Sequence, residues 1–459
     1  MSSLLDQIVA RRRIRLEQAK SGLPGESLRK GLRPSQRSLV KALRDPHPAF
    51  ILECKKASPS QGLIRPEYDP AAIAAAYDPW ASAISVLTEP DSFQGSLEDL
   101  RTVRQTTRHP VLCKDFVVDP WQVWAARSFG ADAILLILAI LDDDLYRQLA
   151  GLAESLGLDV LTEVSNPEEL SRAIQLAAPV VGINNRNLRD MSIDHNRTRE
   201  LADRLPGDVI VISESGWFEN GEIRQMSDVA DGFLIGSSLM ACPDPGLAAR
   251  RVVLGNHKVC GLTRPQDARV ADESGAVYGG VILAASSPRR VTPDQARQVF
   301  GQTRLNRVGV FQNQSPVEIL EVVAHVGLDV IQLHGEETPG EVAELRQQLP
   351  DQVALWKALT VDRLADAAGE FRSAGAEKLL IDSRCDGQTG GTGQRFDWAR
   401  LPACQRDQLI LAGGLGVTNV QEALQLGCYG LDFNSTLETA AGVKSPERIR
   451  QLFQRIRHY

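Results

Sequence analysis

Ionisable residues recur at one kind of place in this 459-residue chain: where a short apolar run ends. Phe50-Ile51-Leu52 leads into Glu53, Lys55 and Lys56 before Pro59 stops the run. Lys114 and Asp115 follow Val111–Cys113, Glu163 closes Val160–Glu163, Asn184 and Arg186 follow Val180–Ile183, and Glu214 follows Val209–Ser213. Charges at the end of a buried strand cost free energy unless they are paired or used. Two lysines from different strand ends can neutralise a substrate carboxylate and protonate a carbonyl, and a facing glutamate can accept a proton. Crowded charges also move a lysine toward a catalytic pKa. A ring of salt bridges that only pairs its own charges needs the same residue types, so that reading stands beside the catalytic one.

Small residues follow Glu214 at its strand end, Ser215 with Gly216, and one further strand end carries Gly236 with Ser237. Small residues there leave backbone N–H groups free to hold a phosphate, although a loop built only to turn looks similar. The elements that must position all these groups are short apolar runs alternating with helical stretches such as Pro70–Tyr77 and 142–156. That alternation predicts a parallel sheet buried on both faces. The runs are Phe50–Glu53, Ala83–Leu87, Val111–Cys113, Ala133–Ala139, Val160–Glu163, Val180–Ile183, Val209–Ser213 and Gly232–Ile235. About eight such units close a (β/α)8 barrel, which needs roughly 200 to 250 residues. Ahead of them, residues 1–49 read as helices: Leu4, Leu5, Ile8 and Val9 share an apolar face, and Pro24, Pro34, Pro46 and Pro48 punctuate the stretch leading to Phe50.

The pattern then starts again. Further runs are Lys258–Leu262, Gly280–Ala284, Arg307–Phe311, Val330–Leu333, Val353–Trp356, Lys378–Ile381, Leu409–Ala412 and Gly430–Phe433. The expected fold class is therefore α/β, with two consecutive TIM barrels over 1–254 and 255–459, the first with an N-terminal helical extension. With almost no linker between them, the barrels are expected to pack together. In the second set Cys260 ends the first run and Asp382 follows the sixth. A thiolate base and a carboxylic acid across one cavity suit proton transfer at carbon, whereas a strand-end cysteine is also commonly a small buried residue. Gly391 and Gly393 belong to a glycine loop, Gly413 and Gly414 follow the seventh run, and Asp432, Asn434 and Ser435 mark the end of the eighth. Turns use glycine too, but this placement favours phosphate.

Composition narrows the partners. At 43% hydrophobic and 24% charged residues the chain reads as a soluble globular protein. Its net charge of −7, without a basic block, argues against nucleic acid. Seven scattered cysteines without a CxxC pair argue against a disulfide framework or a cysteine zinc site and fit a reducing cytoplasm. The charged amphipathic N-terminus is not expected to be a signal peptide, and the longest apolar run, Ala133–Leu141, is too short for a membrane span. No metal site and no cofactor are expected, and the chain is expected to be monomeric.

These residues resemble a known family. FILECKKASPS, LCKDF, LTEV, GINNRNL, ISESG and IGSS are similar to the signature strand ends of indole-3-glycerol-phosphate synthase, over Met1 to about Leu254. The resemblance implies ring closure and decarboxylation of 1-(2-carboxyphenylamino)-1-deoxyribulose 5-phosphate, with loss of CO₂ and water. It implies that Lys114 is a general acid, Glu163 a general base, and Lys55 a binder of charged substrate groups that can also act as an acid. It makes Glu53 and Asn184 orienting partners, with Glu214 and Ser58 also in the site and Arg186 in the charge-rich mouth. Ser215, Gly216, Gly236 and Ser237 resemble the phosphate loops, and Phe93, Phe116 and Leu135 the walls around the anthranilate ring. Gln61 departs from the lysine that the family often has there, which puts substrate capture rather than chemistry in question.

The second half resembles phosphoribosylanthranilate isomerase, through KVCGLT, SSPR, QLHG, LLIDS, GGTGQRFDW, LAGGL and GLDFNS, over about Gly255 to Tyr459. The implied reaction is an Amadori rearrangement with Asp382 as general acid and Cys260 as general base. Arg289 resembles the residue that holds the anthranilate carboxylate. Gln332 and His334 line the mouth, His334 with a purely structural role as the alternative. The isomerase product is the synthase substrate, so both motif sets fit consecutive steps of tryptophan biosynthesis. A sugar-phosphate sensor on decayed barrels would ordinarily have lost Lys114, Glu163, Cys260 and Asp382 first. A pair of histidine-pathway isomerases would carry aspartate in place of Cys260.

Overall fold

The computed structural model describes residues 4–187, 191–382 and 397–459. Its contacts divide the chain into two compact units, Met1–Val253 and Leu254–Tyr459. In the first, eight parallel strands close a barrel: β1 (Ala49–Cys54), β2 (Ala83–Leu87), β3 (Val111–Lys114), β4 (Ala133–Ile137), β5 (Asp159–Val164), β6 (Val180–Asn184), β7 (Ile210–Glu214) and β8 (Gly232–Ile235). β1 pairs with both β2 and β8, which completes the ring. Local chemistry starts the intervening helices. Asp69, Asp119 and Asn166 each cap a helix whose first residue is proline, so the missing proline N–H lies where no intrahelical partner exists.

The side-chain period of two explains which residues reach the mouth. Ile51, Leu112, Leu161, Ile212 and Leu234 lie in one buried cluster filling the barrel. Two residues on, toward the carboxyl ends, the same inward face carries Glu53, Lys114, Glu163, Glu214 and Gly236. The helical leader closes the other end. Leu39 and Leu43 join the interior cluster, and Asp159 at the start of β5 accepts from Ser38 Oγ at 2.8 Å and Val40 N at 3.0 Å.

The second unit repeats the architecture with β9 (Lys258–Val259), β10 (Tyr278–Ile282), β11 (Asn306–Phe311), β12 (Val330–Leu333), β13 (Ala354–Leu359), β14 (Lys378–Ile381), β15 (Leu409–Leu411) and β16 (Gly430–Phe433), again closed and parallel. β9, β10, β11, β13 and β15 each start or end one to three residues away from the apolar runs. β10 begins at Tyr278, ahead of Gly280, because its two glycines blank the hydrophobic signal. β9 is short because Gly261 takes φ +69° and turns the chain just after Cys260. Beyond β16 a two-stranded ribbon pairs Glu438–Ala440 with Val443–Lys444. Among the described residues no helix is long and apolar enough to cross a membrane.

Candidate active sites

The mouth of the first barrel is built around one ammonium. Lys114 Nζ lies 2.8 Å from Glu214 Oε2 and 3.4 Å from Glu53 Oε2. Lys55 Nζ takes the other oxygen of Glu53 at 2.7 Å and reaches Ser237 Oγ at 3.3 Å. Burial opposes charge on Lys114, but Glu214, Glu53 and Glu163 together push its pKa above the ordinary lysine value. Burial likewise opposes charge on Glu53, and there Lys55 and Lys114 win, so its carboxyl titrates below the usual range. Glu163 goes the other way. Burial first, then the negative charge of Glu214, push its carboxyl up to about 7, against Lys114 and the Asn184 amide that donates to it at 3.2 Å. A protonated lysine and a carboxyl near 7 thus share one cavity. The arrangement suits a proton donor beside a group that can both take and give a proton at neutral pH.

That cavity is lined by Glu53, Lys55, Ser58, Phe93, Lys114, Phe116, Leu135, Glu163, Asn184, Arg186, Ser215, Gly216, Gly236 and Ser237. Glu214 reaches the site through Lys114. Phe93 and Phe116 lie 6.1 Å apart, tilted, as one apolar wall. Gln61 is also at the rim. Two glycines make room for the acids. A Cβ on Gly182 would lie 2.1 Å from Glu214 Oε1, and one on Gly236 2.4 Å from Glu53 Oε1. Gly236 therefore has a packing role beside any at phosphate. The role of Gly182 is invisible in sequence, since a lone glycine inside a strand run gives no local sign of what crosses it. Leu4, Leu5 and Ile8 of the helix Leu4–Gly22 also line the cavity. Their apolar face is visible in sequence, but the surface it covers is not. The helix is fixed there by a buried ion pair, Arg12 Nη2 to Asp115 Oδ2 at 2.6 Å.

In the second barrel Cys260 is buried, with Lys258 in hydrogen-bond contact. Lys258 Nζ also lies 2.8 Å from Asp432 Oδ2. Burial pushes the Cys260 thiol up, and Lys258 offsets only part of that. Gly280 leaves the space these groups use: a Cβ there would lie 2.7 Å from Lys258 Cε and 2.9 Å from Cys260 Sγ. Asp432 belongs to β16 itself, where it accepts from the buried Lys258 ammonium. Asn434 and Ser435 lie just beyond, and Gly413 and Gly414 take φ of +89° and +64° after β15. Gly391 and Gly393 lie outside the described residues. Gln332 Nε2 and His334 Nδ1 lie 3.2 Å apart, and His334 Nε2 is 3.8 Å from Asp382 Oδ2. Burial keeps His334 below the ordinary imidazole value, against Asp382. Arg289 is paired with Glu438 at 2.8 Å. Among the described residues no cluster of three metal-ligating side chains occurs.

Residues 5–252 match the family model of indole-3-glycerol phosphate synthase, and residues 257–455 that of N-(5'-phosphoribosyl)anthranilate isomerase. The tryptophan biosynthesis protein TrpCF of Salmonella typhi is 49% identical over 459 residues, covering 100% of both chains. The chain belongs to this bifunctional synthase–isomerase family. TrpCF of Yersinia pestis is 50% identical over 457 residues, 100% of this chain and 95% of that one. A crystal structure of phosphoribosyl anthranilate isomerase from Thermus thermophilus is 36% identical, covering 44% of this chain and 98% of that one, with a TM-score of 0.38. The synthase–isomerase is thus a two-activity enzyme of tryptophan biosynthesis, a decarboxylating lyase in its first half and an isomerase in its second.

Proposed function

We propose that the strand-end residues carry the two reactions, each in its own barrel. In the isomerase barrel Asp382 protonates the ribose ring oxygen of N-(5-phosphoribosyl)anthranilate, and the ring opens to a Schiff base. Cys260, as thiolate, takes the proton from the adjacent carbon, and the enol relaxes to the ketone of 1-(2-carboxyphenylamino)-1-deoxyribulose 5-phosphate. Arg289 holds the carboxylate, Gln332 and His334 line the mouth, and the backbone at Gly413, Gly414, Asn434 and Ser435 takes the phosphate.

In the synthase barrel Lys114 protonates the ketone oxygen of that product. The ring carbon bearing the carboxylate attacks, carbon dioxide leaves, and Glu163 with a lysine completes the dehydration that restores aromaticity. Lys55 and Arg186 bind charged substrate groups, Glu53, Asn184, Glu214 and Ser58 orient them, and the backbone at Ser215, Gly216, Gly236 and Ser237 takes the phosphate. Phe93, Phe116 and Leu135 flank the aromatic ring. The observation that carries this reading is Lys114, held protonated by Glu214 and Glu53 in the same cavity as a Glu163 carboxyl near 7.

The domain division is placed at 254/255. The enzyme is taken to be a cytoplasmic monomer that binds neither nucleic acid nor membrane; Cys54, Cys113, Cys242, Cys260 and Cys428 are unbridged thiols, which suits a reducing compartment. Phosphoribosylanthranilate supplied to the purified protein should yield indole-glycerol phosphate, followed by absorbance. Accumulation of the ketone intermediate alone would remove the synthase assignment.

A further inference from the structure

The guanidinium assigned to the substrate carboxylate already faces a carboxylate of its own chain. Arg289 Nε lies 2.9 Å from Glu438 Oε1 and 3.1 Å from Oε2, and Nη2 lies 2.8 Å from Oε2. Both side chains are buried, at 9% and 5% exposure. Glu438 is itself fixed from the other side. Lys444 Nζ donates to its Oε1 at 2.8 Å, and the Gly442 backbone N–H donates at 3.2 Å. Lys444 Nζ then reaches Asn434, its carbonyl at 3.1 Å and its Oδ1 at 2.8 Å. Asn434 opens the loop assigned to the phosphate. A single carboxylate on the ribbon after β16 therefore touches the cation at one end of the substrate and, through Lys444, the loop at the other.

A guanidinium offers five donors on a planar fork, enough for two carboxylates on two edges. Glu438 uses the Nε–Nη2 edge, so the Nη1–Nη2 edge is the one presented to a second planar carboxylate. Displacement of Glu438 by substrate is disfavoured, since it would strand Lys444, itself only 1% exposed, without its carboxylate. Gly261, next to Cys260, is packed against the same assembly. A Cβ there would lie 2.5 Å from Asn434 Oδ1 and 2.9 Å from Arg289 Cδ.

We propose that Glu438 is a positioning residue of the isomerase: it locks Arg289 by one edge so that the other meets the anthranilate carboxylate, and with Lys444 it couples that end of the site to the phosphate loop. The inference rests on the reading of Arg289 as the carboxylate holder.

The full chain with phosphoribosylanthranilate tests it. Glu438→Gln keeps the shape and should raise KM about tenfold while kcat changes less than about threefold, the scale of one charge-assisted contact. Competitive inhibition by anthranilate should weaken in step, and inhibition by inorganic phosphate should weaken less. Arg289→Lys, with one point charge in place of the fork, should raise KM at least as much. The double variant should be no worse than Arg289→Lys, because Glu438 acts through Arg289. If Arg289→Lys raises KM and Glu438→Gln does not, the positioning role is wrong and the carboxylate reading survives. If neither raises KM, the reading of Arg289 itself fails. Additive effects in the double variant would also overturn the coupling. Glu438→Gln combined with Lys444→Met removes one charge of each sign. It should keep the raised KM if the single variant proves unstable, and a return to the parental KM would count against the lock.

Discussion

The two barrels surround the groups proposed to move protons with opposite charge. In the synthase barrel carboxylates converge on an ammonium: Glu214, Glu53 and Glu163 act on Lys114. In the isomerase barrel cations gather at a thiol: Lys258 acts on Cys260 against the opposing charge of Asp432, and Lys444 and Arg289 act on it from the ribbon side. Each pattern opposes the same physical force, since burial disfavours the charged form of either group. The outcomes differ. The carboxylates overcome burial and hold Lys114 protonated, as a proton donor requires. The cations only soften burial at Cys260, whose thiol still titrates above its ordinary value, so the thiolate is the scarcer form at neutral pH.

The strongest way to break this comparison is to remove one centre at a time. Cys260→Ala should lower isomerisation by about 10³-fold or more and leave ring closure of supplied ketone intermediate intact. Lys114→Ala should do the reverse. Loss of both activities from either change would mean that the two sites are not separate.

Titration sharpens the contrast. The Glu163 carboxyl, pushed up to about 7, must be ionised to accept a proton, so synthase kcat/KM should fall as pH drops through about 7. Glu163→Gln should abolish that limb and cost about 10² to 10⁴ in rate. The same shift has a stability consequence. An unfolded glutamate titrates near 4.5, so between about 4.5 and 7 the folded form holds more protons at this site. Its contribution to stability is therefore present at low pH and is lost as pH rises through that window, which denaturant midpoints of Glu163→Gln against the parent should show. Isomerase kcat/KM should instead keep climbing above neutral pH, as the Cys260 thiolate becomes populated.

The pair of close-fitting glycines gives a smaller, barrel-specific effect. Gly182→Ala would drive a methyl into the Glu214 carboxylate, and Gly280→Ala would drive one into Lys258 and Cys260. Each should destabilise its own unit by about 1–3 kcal/mol and reduce only its own reaction, measured by thermal unfolding and by the two separate assays.

Most of the first mouth is legible in sequence because a period of two carries the inward face of a strand straight from apolar residues to Glu53, Lys114, Glu163 and Glu214. The hidden part depends on partners distant in sequence. Lys258 reads as the polar start of an apolar run, yet it lies fully inside the barrel on Asp432. Asp432 reads as part of the phosphate loop because it adjoins Asn434 and Ser435, but it still lies within the strand, where its carboxyl meets Lys258. Glu438 and Lys444 lie beyond the last strand, where no apolar pattern marks them. Leu4, Leu5 and Ile8 announce an amphipathic helix without saying which cavity it walls.

The finest comparison lies in the two loops after the seventh strand of each barrel. The isomerase bends its chain with consecutive glycines, Gly413 and Gly414, at φ +89° and +64°. The synthase makes the same kind of bend with Ser215 and Gly216, at φ +71° and +89°. An L-residue in the left-handed region carries strain of about 1–2 kcal/mol, while glycine loses more conformational freedom on folding, by roughly 0.5–1 kcal/mol. The first term is the larger, so Ser215→Gly should raise synthase-unit stability by about 0 to 1.5 kcal/mol. If phosphate is held there by backbone N–H groups, as the glycine pair in the isomerase suggests, KM for the ketone intermediate should change by less than about threefold. A larger rise in KM at unchanged stability would show that the serine hydroxyl binds the phosphate directly and that the two loops, alike in backbone, hold their substrates differently.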